Sequence, residues 1–436
     1  MILRDPVHGL VAFEGDEERI VEVLMDTPEV QRLRRVRQLG VTSLAFPGAE
    51  HSRFAHAIGS AFVMKLLIAR LRTIHDMLPS AQRVTAERAR EALAAALLHD
   101  VGHGPLSHLF EDVIAGLPPH ETWTERIALD PSTGVHRALA AADPQLPARV
   151  VDLVHGRHEL AFLAKAVSGQ FDVDRCDYLL RDAHATGVRY GLYDLDWLLR
   201  SLTFAPALAG AAGGARAAPA LAIDGAKGLP AIEAFITARL FMFQQVYLHK
   251  APRAAEWMIR TALARAVTLL RSGGKLDGVP AALASAARGA PIALGDYLEL
   301  DDGVLWGAMH AWEQAADRPL ADLAARIRAR ALFKTLELFG EHATAAGSER
   351  ALDVARDVAR SRGFDPTAYV GLDVATVEPF GGEGEEPLWV VYAKGPARPL
   401  PEVSFLLGRL AGQVLSRVRL VLAPELREAV THALGL

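Results

Sequence analysis

The sequence predicts a mainly α protein: a helical core over residues 1–340, a small hairpin near 200–225 and a C-terminal α+β unit over 341–436. Three observations carry this reading. Apolar residues recur at helical spacing through most of the first 340 positions. An Ala/Gly-rich run lies between Phe204 and Pro219, flanked by LTF and LAID, as in two strands around a tip. After Gly340 the chain turns to Val- and Tyr-rich alternating segments.

The first helical stretch, Ile20–Leu39, places Ile20, Val23, Leu24, Val30, Leu33, Val36 and Leu39 on one face, with basic residues opposite. Ala55–Arg72, Ala86–His99, Val150–Val154, Ala231–Val267 and Pro319–Leu338 repeat the pattern. Gly and Pro mark the loops, as at Phe46-Pro47-Gly48 and Gly102-His103-Gly104-Pro105. In the C-terminal unit, AYVGLDVAT and LWVVYA read as strands around a turn-rich PFGGEGEEP, and VRLVLA followed by PELREAVTHAL adds a strand and a helix. No repeat of fixed period is visible.

Composition narrows the classes. With 436 residues the chain is expected to form two or three units at about 100–200 residues each. Hydrophobic residues at 51% and charged residues at 23% exclude a disordered chain. The balance of 47 Lys+Arg against 52 Asp+Glu, net -5, disfavours nucleic acid as a partner while leaving room for a local basic pocket. A single cysteine removes intramolecular disulfides and Cys-rich zinc modules. Sixteen histidines stand against it, so any metal must be bound by imidazole and carboxylate. The start, MILRDPVHGLVAF, lacks a signal-peptide pattern, and apolar stretches such as Ala92–Leu98 are shorter than the roughly 20 residues that span a bilayer. A soluble, cytoplasmic protein with no membrane partner is expected.

The sharpest local signal runs from Leu97 to His108, LLHDVGHGPLSH. An apolar helix leads directly into adjacent His99 and Asp100 and then into a Gly-rich exit. An imidazole nitrogen and a carboxylate oxygen on a rigid support can reach one cation, and this donor pair suits Mn, Fe, Co, Ni, Zn or Mg. Taken alone the dipeptide reads as a polar cap. His103 and His108 close by weaken that alternative, as do His56 at the start of one apolar helix and the Asp172-Val173-Asp174-Arg175-Cys176-Asp177 segment leading into another.

In order along the chain, these residues sit within a longer set of motifs: Asp5-Pro6-Val7-His8-Gly9, Thr27-Pro28-Glu29-Val30-Gln31-Arg32-Leu33, Gln38-Leu39-Gly40, Phe46-Pro47-Gly48-Ala49, Arg53-Phe54-Ala55-His56, His99-Asp100, Asp174 and Tyr247-Leu248-His249-Lys250. The set resembles the HD-domain phosphohydrolase superfamily, and within it the deoxynucleoside triphosphate (dNTP) triphosphohydrolase branch, over roughly residues 1–340. No SAM domain, which some members of the branch carry, is expected.

The resemblance implies a divalent metal held by His56, His99, Asp100 and Asp174, in a metal-site region of about 50–182, and hydrolysis of a dNTP to deoxynucleoside and inorganic triphosphate. It further implies His108 as proton donor to the leaving 5′-oxygen, and His103 and His120 on the phosphate side, where they could support a second Mg bound with the substrate phosphates. Glu111 stands where the branch commonly has Asp. Arg53, Arg175, Arg239 and Lys250 correspond to cations around the triphosphate, Arg175 replacing a frequent lysine. Without the resemblance each would read as a solvated surface residue. Sugar selection falls to Gln38, Leu39, Tyr178, Asp182 and Tyr247, the last on a nucleotide-contacting helix over about 230–267; Tyr247 also reads as a core aromatic.

Arg330-Ala331-Leu332-Phe333-Lys334 resembles a segment that binds an activating nucleotide in animal relatives, so Arg330 and Lys334 are candidate regulatory residues; the segment also reads as a helix end with dipole-matched cations. A homodimer or homotetramer is implied. Two other functions compete: an HD phosphohydrolase acting on a signalling or ribonucleotide substrate, and a nucleotide sensor or nucleic-acid-binding module.

Overall fold

The computed structural model describes the chain except residues 115–116, 206–219, 379 and 381–386 and the side chains of His108 and Asp112. It is mainly α, as expected, with helices arranged around two hydrophobic cores.

The first core is built on the Arg53–Thr73 helix, which packs against Ala86–Leu98 on one side and Val173–Thr186 on the other. By length (21 residues) and composition this helix could cross a membrane, but 67% of its apolar window is buried within the fold. Its apolar surface is the centre of a core containing Leu67, Leu97 and Leu179. The second core gathers the long Lys250–Arg271 helix, later helices and the C-terminal strands around Met258, Trp312 and Leu422.

Small sheets edge these cores. Strands β1 (Ile2–Asp5) and β2 (Gly9–Ala12) form an N-terminal hairpin. Strands β3 (Leu202–Ala205) and β4 (Ala220–Asp224) pair antiparallel where a hairpin was expected; the expected tip lies outside the described residues. Strands β5 (Lys334–Glu337), β6 (Val370–Val377) and β9 (Leu415–Leu422) form a three-stranded antiparallel sheet with β9 in the middle. Strands β7 (Trp389–Val391) and β8 (Arg398–Pro399) extend the β3–β4 hairpin, β7 pairing parallel to β4.

Four sequence expectations are corrected. The stretch Ile20–Leu39 is three short helices, Arg19–Met25, Pro28–Arg32 and Leu33–Arg35, because Pro28, lacking an N–H, starts a new helix at its first position. The stretch Ala231–Val267 is two helices: Leu229–Met242 runs into a π turn, Phe243–Tyr247, and His249 caps a second helix from Lys250, its Nδ1 accepting the Ala251 N–H at 3.3 Å. The stretch Pro319–Leu338 is a helix only to Arg328; Arg330 is left-handed (φ 54°) and the chain continues into β5. The C-terminal strands do not form one unit. LWVVYA contributes β7 to the β3–β4 sheet, and its Val390 joins the first core, while AYVGLDVAT contributes β6 to the second. Periodicity identifies a buried strand but not the edge with which it pairs.

Candidate metal centre

Three helices bring the predicted ligands together. Arg53–Thr73 carries His56 in its first turn, capped by Ser52, whose Oγ accepts the Ala55 N–H. Ala86–Leu98 delivers His99 at its C-cap, with Asp100 next in the chain. Val173–Thr186 carries Asp174 in its first turn, beneath the Asp172 cap.

His56 Nε2 lies 2.9 Å from Asp174 Oδ1, 3.3 Å from His99 Nε2 and 3.8 Å from Asp100 Oδ2. His99 Nε2 lies 3.5 Å from both Asp100 Oδ1 and Asp174 Oδ1. Donors bound at about 2.0–2.2 Å to one ion stand roughly 3 Å or slightly more apart, so this spacing suits a single divalent cation. The other ring nitrogens are already used: His56 Nδ1 faces Asp177 Oδ2 at 2.8 Å, and His99 Nδ1 faces the Ala96 carbonyl at 2.9 Å. With the second nitrogen of each ring so occupied, Nε2 is the atom each ring presents to the shared position, where a bound metal would replace its proton. Burial opposes ionisation of Asp174 and Asp100. For Asp174 the hydrogen bonds from His56 and His99 outweigh it, and for Asp100 the charges of Arg53 and His99 with a hydrogen bond from His103, so both remain carboxylates. The residues present fit a divalent metal.

A second group of candidate ligands adjoins the first through Asp100. His103 Nε2 lies 3.3 Å from Asp100 Oδ1, and Asp100, His103 and His120 each offer one donor within 4.8 Å of the others. The two imidazoles stack at 3.7 Å between centroids, and the carboxylate oxygens of Glu111 lie 3.4 Å from His103 Nδ1 and 3.4 Å from His120 Nδ1. Glu111 thus reaches both rings. Burial and the Arg53 charge lower the His103 pKa to about 4 against the pull of Asp100 and Glu111, so His103 is neutral at physiological pH. His108 begins the His108–Val113 helix, and its side chain is outside the described residues.

The predicted cations occupy different settings. Arg53 is buried, donates to Asp100 and holds Ser107 Oγ at 3.0 and 2.9 Å. Ser107 and its neighbour Leu106 are both left-handed, φ 59° and 54°, a local strain typical of functional loops. Arg175 turns along its own helix to Asp172 and the Gly169 carbonyl. Arg239 lies over the Phe243 ring at 5.5 Å. Lys250 lines a cavity of about 290 Å³ together with Arg330, Phe333, Lys334, Thr335 and Arg427. The two candidate regulatory residues therefore share that cavity with Lys250.

At the far end of the Val173–Thr186 helix lies the predicted sugar set. Asp174, Tyr178 and Asp182 recur at every fourth position and share one face, so Asp182 sits about 12 Å along the axis from Asp174. Tyr247 Oη donates to Asp182 Oδ2 at 2.7 Å, His51 Nε2 meets Asp182 Oδ1 at 2.8 Å, and Tyr178 meets Tyr247 edge-on at 6.3 Å. Burial and the Asp182 carboxylate raise the Tyr247 pKa well above its ordinary value, keeping the phenol a donor. Tyr247 ends the π turn, an irregularity common at functional sites. Gln38 donates its backbone N–H to the His51 carbonyl at 3.0 Å, and Leu39 packs on the first core.

Residues not singled out from sequence support this frame. Asp177, fully buried, accepts from His8 at 2.6 Å, from His56 at 2.8 Å and from Arg181 Nε and Nη2 at 2.8 and 2.9 Å; Arg181 also pairs with Asp5 at 2.8 Å. Gly59 makes the approach possible, since a Cβ there would stand 1.9 Å from Asp177 Oδ1. The available signal was an Asp and an Arg four apart on the buried face of a helix already carrying a ligand.

A helical scaffold on which His56, His99 and Asp174 converge on one cation position, with Asp100 linking it to His103 and His120, is the arrangement of an HD-class hydrolase able to hold a divalent metal. The chain belongs to the HD-domain phosphohydrolases. The HD domain family model matches residues 53–182. An uncharacterised Bacillus subtilis protein, YwfO, is 32% identical over 418 residues, covering 94% of this chain and 89% of that protein. The crystal structure of a phosphohydrolase from Bacteroides thetaiotaomicron superposes with a TM-score of 0.79 at 27% identity, covering 97% of this chain and 99% of that one. The deoxynucleoside triphosphate triphosphohydrolase SAMHD1 of Bos taurus is 30% identical over 219 residues, 43% of this chain and 36% of that protein. The matched region thus spans about a third of that enzyme's length.

Proposed function

We propose that this protein is a dNTP triphosphohydrolase that releases deoxynucleoside and inorganic triphosphate. The observation that carries the reading is the single helix face joining Asp174, Tyr178 and Asp182, with Tyr247 and His51 on Asp182. One end serves phosphate chemistry and the other can accept a sugar hydroxyl, about 12 Å apart along the axis.

A divalent ion held by His56, His99, Asp100 and Asp174 supplies Lewis acidity toward a phosphoryl oxygen and acidifies water. The chain's own groups do the rest. Neutral His103, stacked on His120, carries one N–H; given to a phosphate oxygen in place of Glu111, it binds phosphate without the desolvation cost of another buried charge. Arg53 compensates the Asp100 carboxylate at the boundary between the metal and phosphate sides. His108 is the proposed proton donor to the 5′-oxygen, a task suited to imidazole near neutral pH. Asp182 and Gln38 bind the 3′-hydroxyl, and Tyr247 with Leu39 crowds the 2′-carbon. A buried ribose hydroxyl left without a partner there costs roughly 1–3 kcal/mol.

Rates for each dNTP and NTP with Mn, Mg, Co, Ni, Zn or Fe(II) test this reading. The expected result is turnover of dNTPs at least about tenfold faster than of the matching NTPs; equal rates on both would contradict it.

A second nucleotide site is the companion reading. Lys250, Arg330, Lys334 and Arg427 bring four cationic side chains to a cavity of about 290 Å³, a setting for a polyphosphate. Stimulation of hydrolysis of one dNTP by another nucleotide would support it, and strictly additive rates in all pairs would contradict it. Assembly as a homodimer or homotetramer goes with this reading and is checked by light scattering with and without nucleotide.

A further inference from the structure

The turn between Asp100 and His103 decides how the metal side and the phosphate side of the site face each other, and its backbone is held from outside. Arg32, 2% exposed, donates Nη2–H to the carbonyls of Val101 at 2.9 Å and His103 at 2.7 Å, and Nη1–H to the carbonyl of Leu300 at 2.7 Å. Tyr297, fully buried, donates its hydroxyl to the Gly102 carbonyl at 2.7 Å. Consecutive carbonyls at 101, 102 and 103 are therefore all claimed by two side chains distant in sequence.

The opposite side is closed as well. Thr124 Oγ1 accepts the Gly102 N–H at 3.0 Å and donates to the His99 carbonyl at 3.1 Å. A Cβ on Gly102 would stand 2.1 Å from the His120 carbonyl oxygen, so this glycine lets the helix carrying His120 pack against the turn. Tyr297 stacks on Trp123 of that helix at 3.7 Å, nearly parallel.

Among the described residues no carboxylate forms an ion pair with Arg32. Its direct partners are carbonyls, and its charge is offset only through space by Asp301 and Asp302 and by the Tyr297 ring at 5.8 Å, so its burial is costly. What it does achieve is geometric: a rigid fork spanning two carbonyls of the turn and a third on the segment that carries Tyr297.

We propose that Arg32 and Tyr297 are positioning residues that fix the Asp100–His103 turn, and so set where Asp100 and His103 stand relative to the other ligands. The proposal rests on the reading of this pocket as a metal-dependent phosphohydrolase site. Neither side chain touches substrate in this account; both act through the backbone.

The experiment compares Tyr297→Phe and Arg32→Lys with wild type and with Tyr369→Phe. The last removes a comparable hydroxyl, which donates to Asp322 at 2.8 Å in the same core, far from the turn in sequence. Co²⁺ binding and its visible spectrum are recorded for the metal-free proteins, with melting temperatures. Tyr297→Phe should weaken Co²⁺ binding about tenfold and shift the ligand-field bands, with a melting temperature within about 4 °C of Tyr369→Phe. With dNTP as substrate, kcat should fall about tenfold with KM nearly unchanged, because a misplaced turn affects the reacting geometry more than binding. Tyr369→Phe should leave Co²⁺ affinity, spectrum and kcat as in wild type. An unchanged Co²⁺ affinity and spectrum in Tyr297→Phe would overturn the proposal, and that holds whether or not Arg32→Lys folds. If wild type turns over no dNTP, the functional reading fails while the Co²⁺ comparison still decides the positioning role.

Discussion

His56 Nδ1 stands 2.8 Å from Asp177 Oδ2, with both side chains wholly buried, and the opposite nitrogen of the same ring is the one aimed at Asp174, His99 and Asp100. One carboxylate outside the ligand set thus orients a ligand inside it. The same carboxylate is the counter-charge of buried Arg181 and a partner of His8. The N-terminal Asp5-Pro6-Val7-His8 turn reaches the candidate metal centre through Asp177.

Replacing Asp177 with Asn keeps the volume but removes the charge that balances Arg181 and the acceptor that fixes His56. Metal affinity should fall about 10–100-fold. Breaking a buried ion pair from one side should also cost about 3–5 kcal/mol of stability. Metal titration and chemical denaturation of the variant check both; wild-type affinity would remove Asp177 from the orienting role.

The metal-free protein should show a marked pH dependence. Burial pulls the His56 pKa down, but hydrogen bonds and charges from Asp174 and Asp177 outweigh it and lift it to about 10. A folded-state pKa above the unfolded value of about 6.5 stabilises fully below pH 6.5 and loses that contribution as pH rises toward 10. The metal-free melting temperature should therefore fall across that window. Over the same window metal must displace the His56 proton, so affinity should rise about tenfold per pH unit. Calorimetry in buffers of different ionisation enthalpy should detect at least one proton released per ion, and none released would contradict the assignment.

Tyr247→Ala removes both the ring near the sugar and the donor to Asp182. The dNTP-to-NTP rate ratio should shrink by about one to two decades. Tyr247→Phe, which keeps the ring, separates crowding from hydrogen bonding: a ratio that survives in Phe but not in Ala assigns the discrimination to shape. A ratio unchanged in both excludes Tyr247 from sugar selection.

Lys334→Ala and Arg427→Ala each withdraw one cation from the cavity that also holds Lys250 and Arg330. Stimulation by a second nucleotide should drop about tenfold or more in either variant, as expected for loss of a charge-assisted phosphate contact. Titration of the stimulating nucleotide at fixed substrate checks this, and an unshifted titration midpoint would detach the cavity from regulation.

Much of the candidate site was legible in the sequence because its candidate ligands are adjacent to helix starts and ends. His56, His99, Asp100 and Asp174 each stand where an apolar run begins or stops, and there polar side chains have few other reasons to be buried together. The Asp177–Arg181–Asp5–His8 set was not legible. Its members are 176 residues apart at the widest, and only the docking of the N-terminal Asp5–His8 turn onto the Val173–Thr186 helix brings them together. The helix breaks at Pro28 and after Met242 were missed for a different reason: an apolar period continues across a break when both segments cover the same core. The C-terminal strands were visible as strands, but pairing of Trp389–Val391 with Ala220–Asp224 depends on an edge more than 160 residues away in the chain. Lys250, which the resemblance groups with the substrate cations, begins its helix and lines the cavity shared with Arg330 and Lys334.

The measurement that tests the central claim most directly is product analysis of dNTP hydrolysis in ¹⁸O-labelled water by ³¹P NMR and mass spectrometry. Attack of water on the α-phosphorus breaks the bond to the 5′-oxygen, so the account predicts unlabelled deoxynucleoside and intact triphosphate carrying one ¹⁸O, with both lost in Asp174→Ala. Release of orthophosphate or pyrophosphate, or label in the deoxynucleoside, would contradict it.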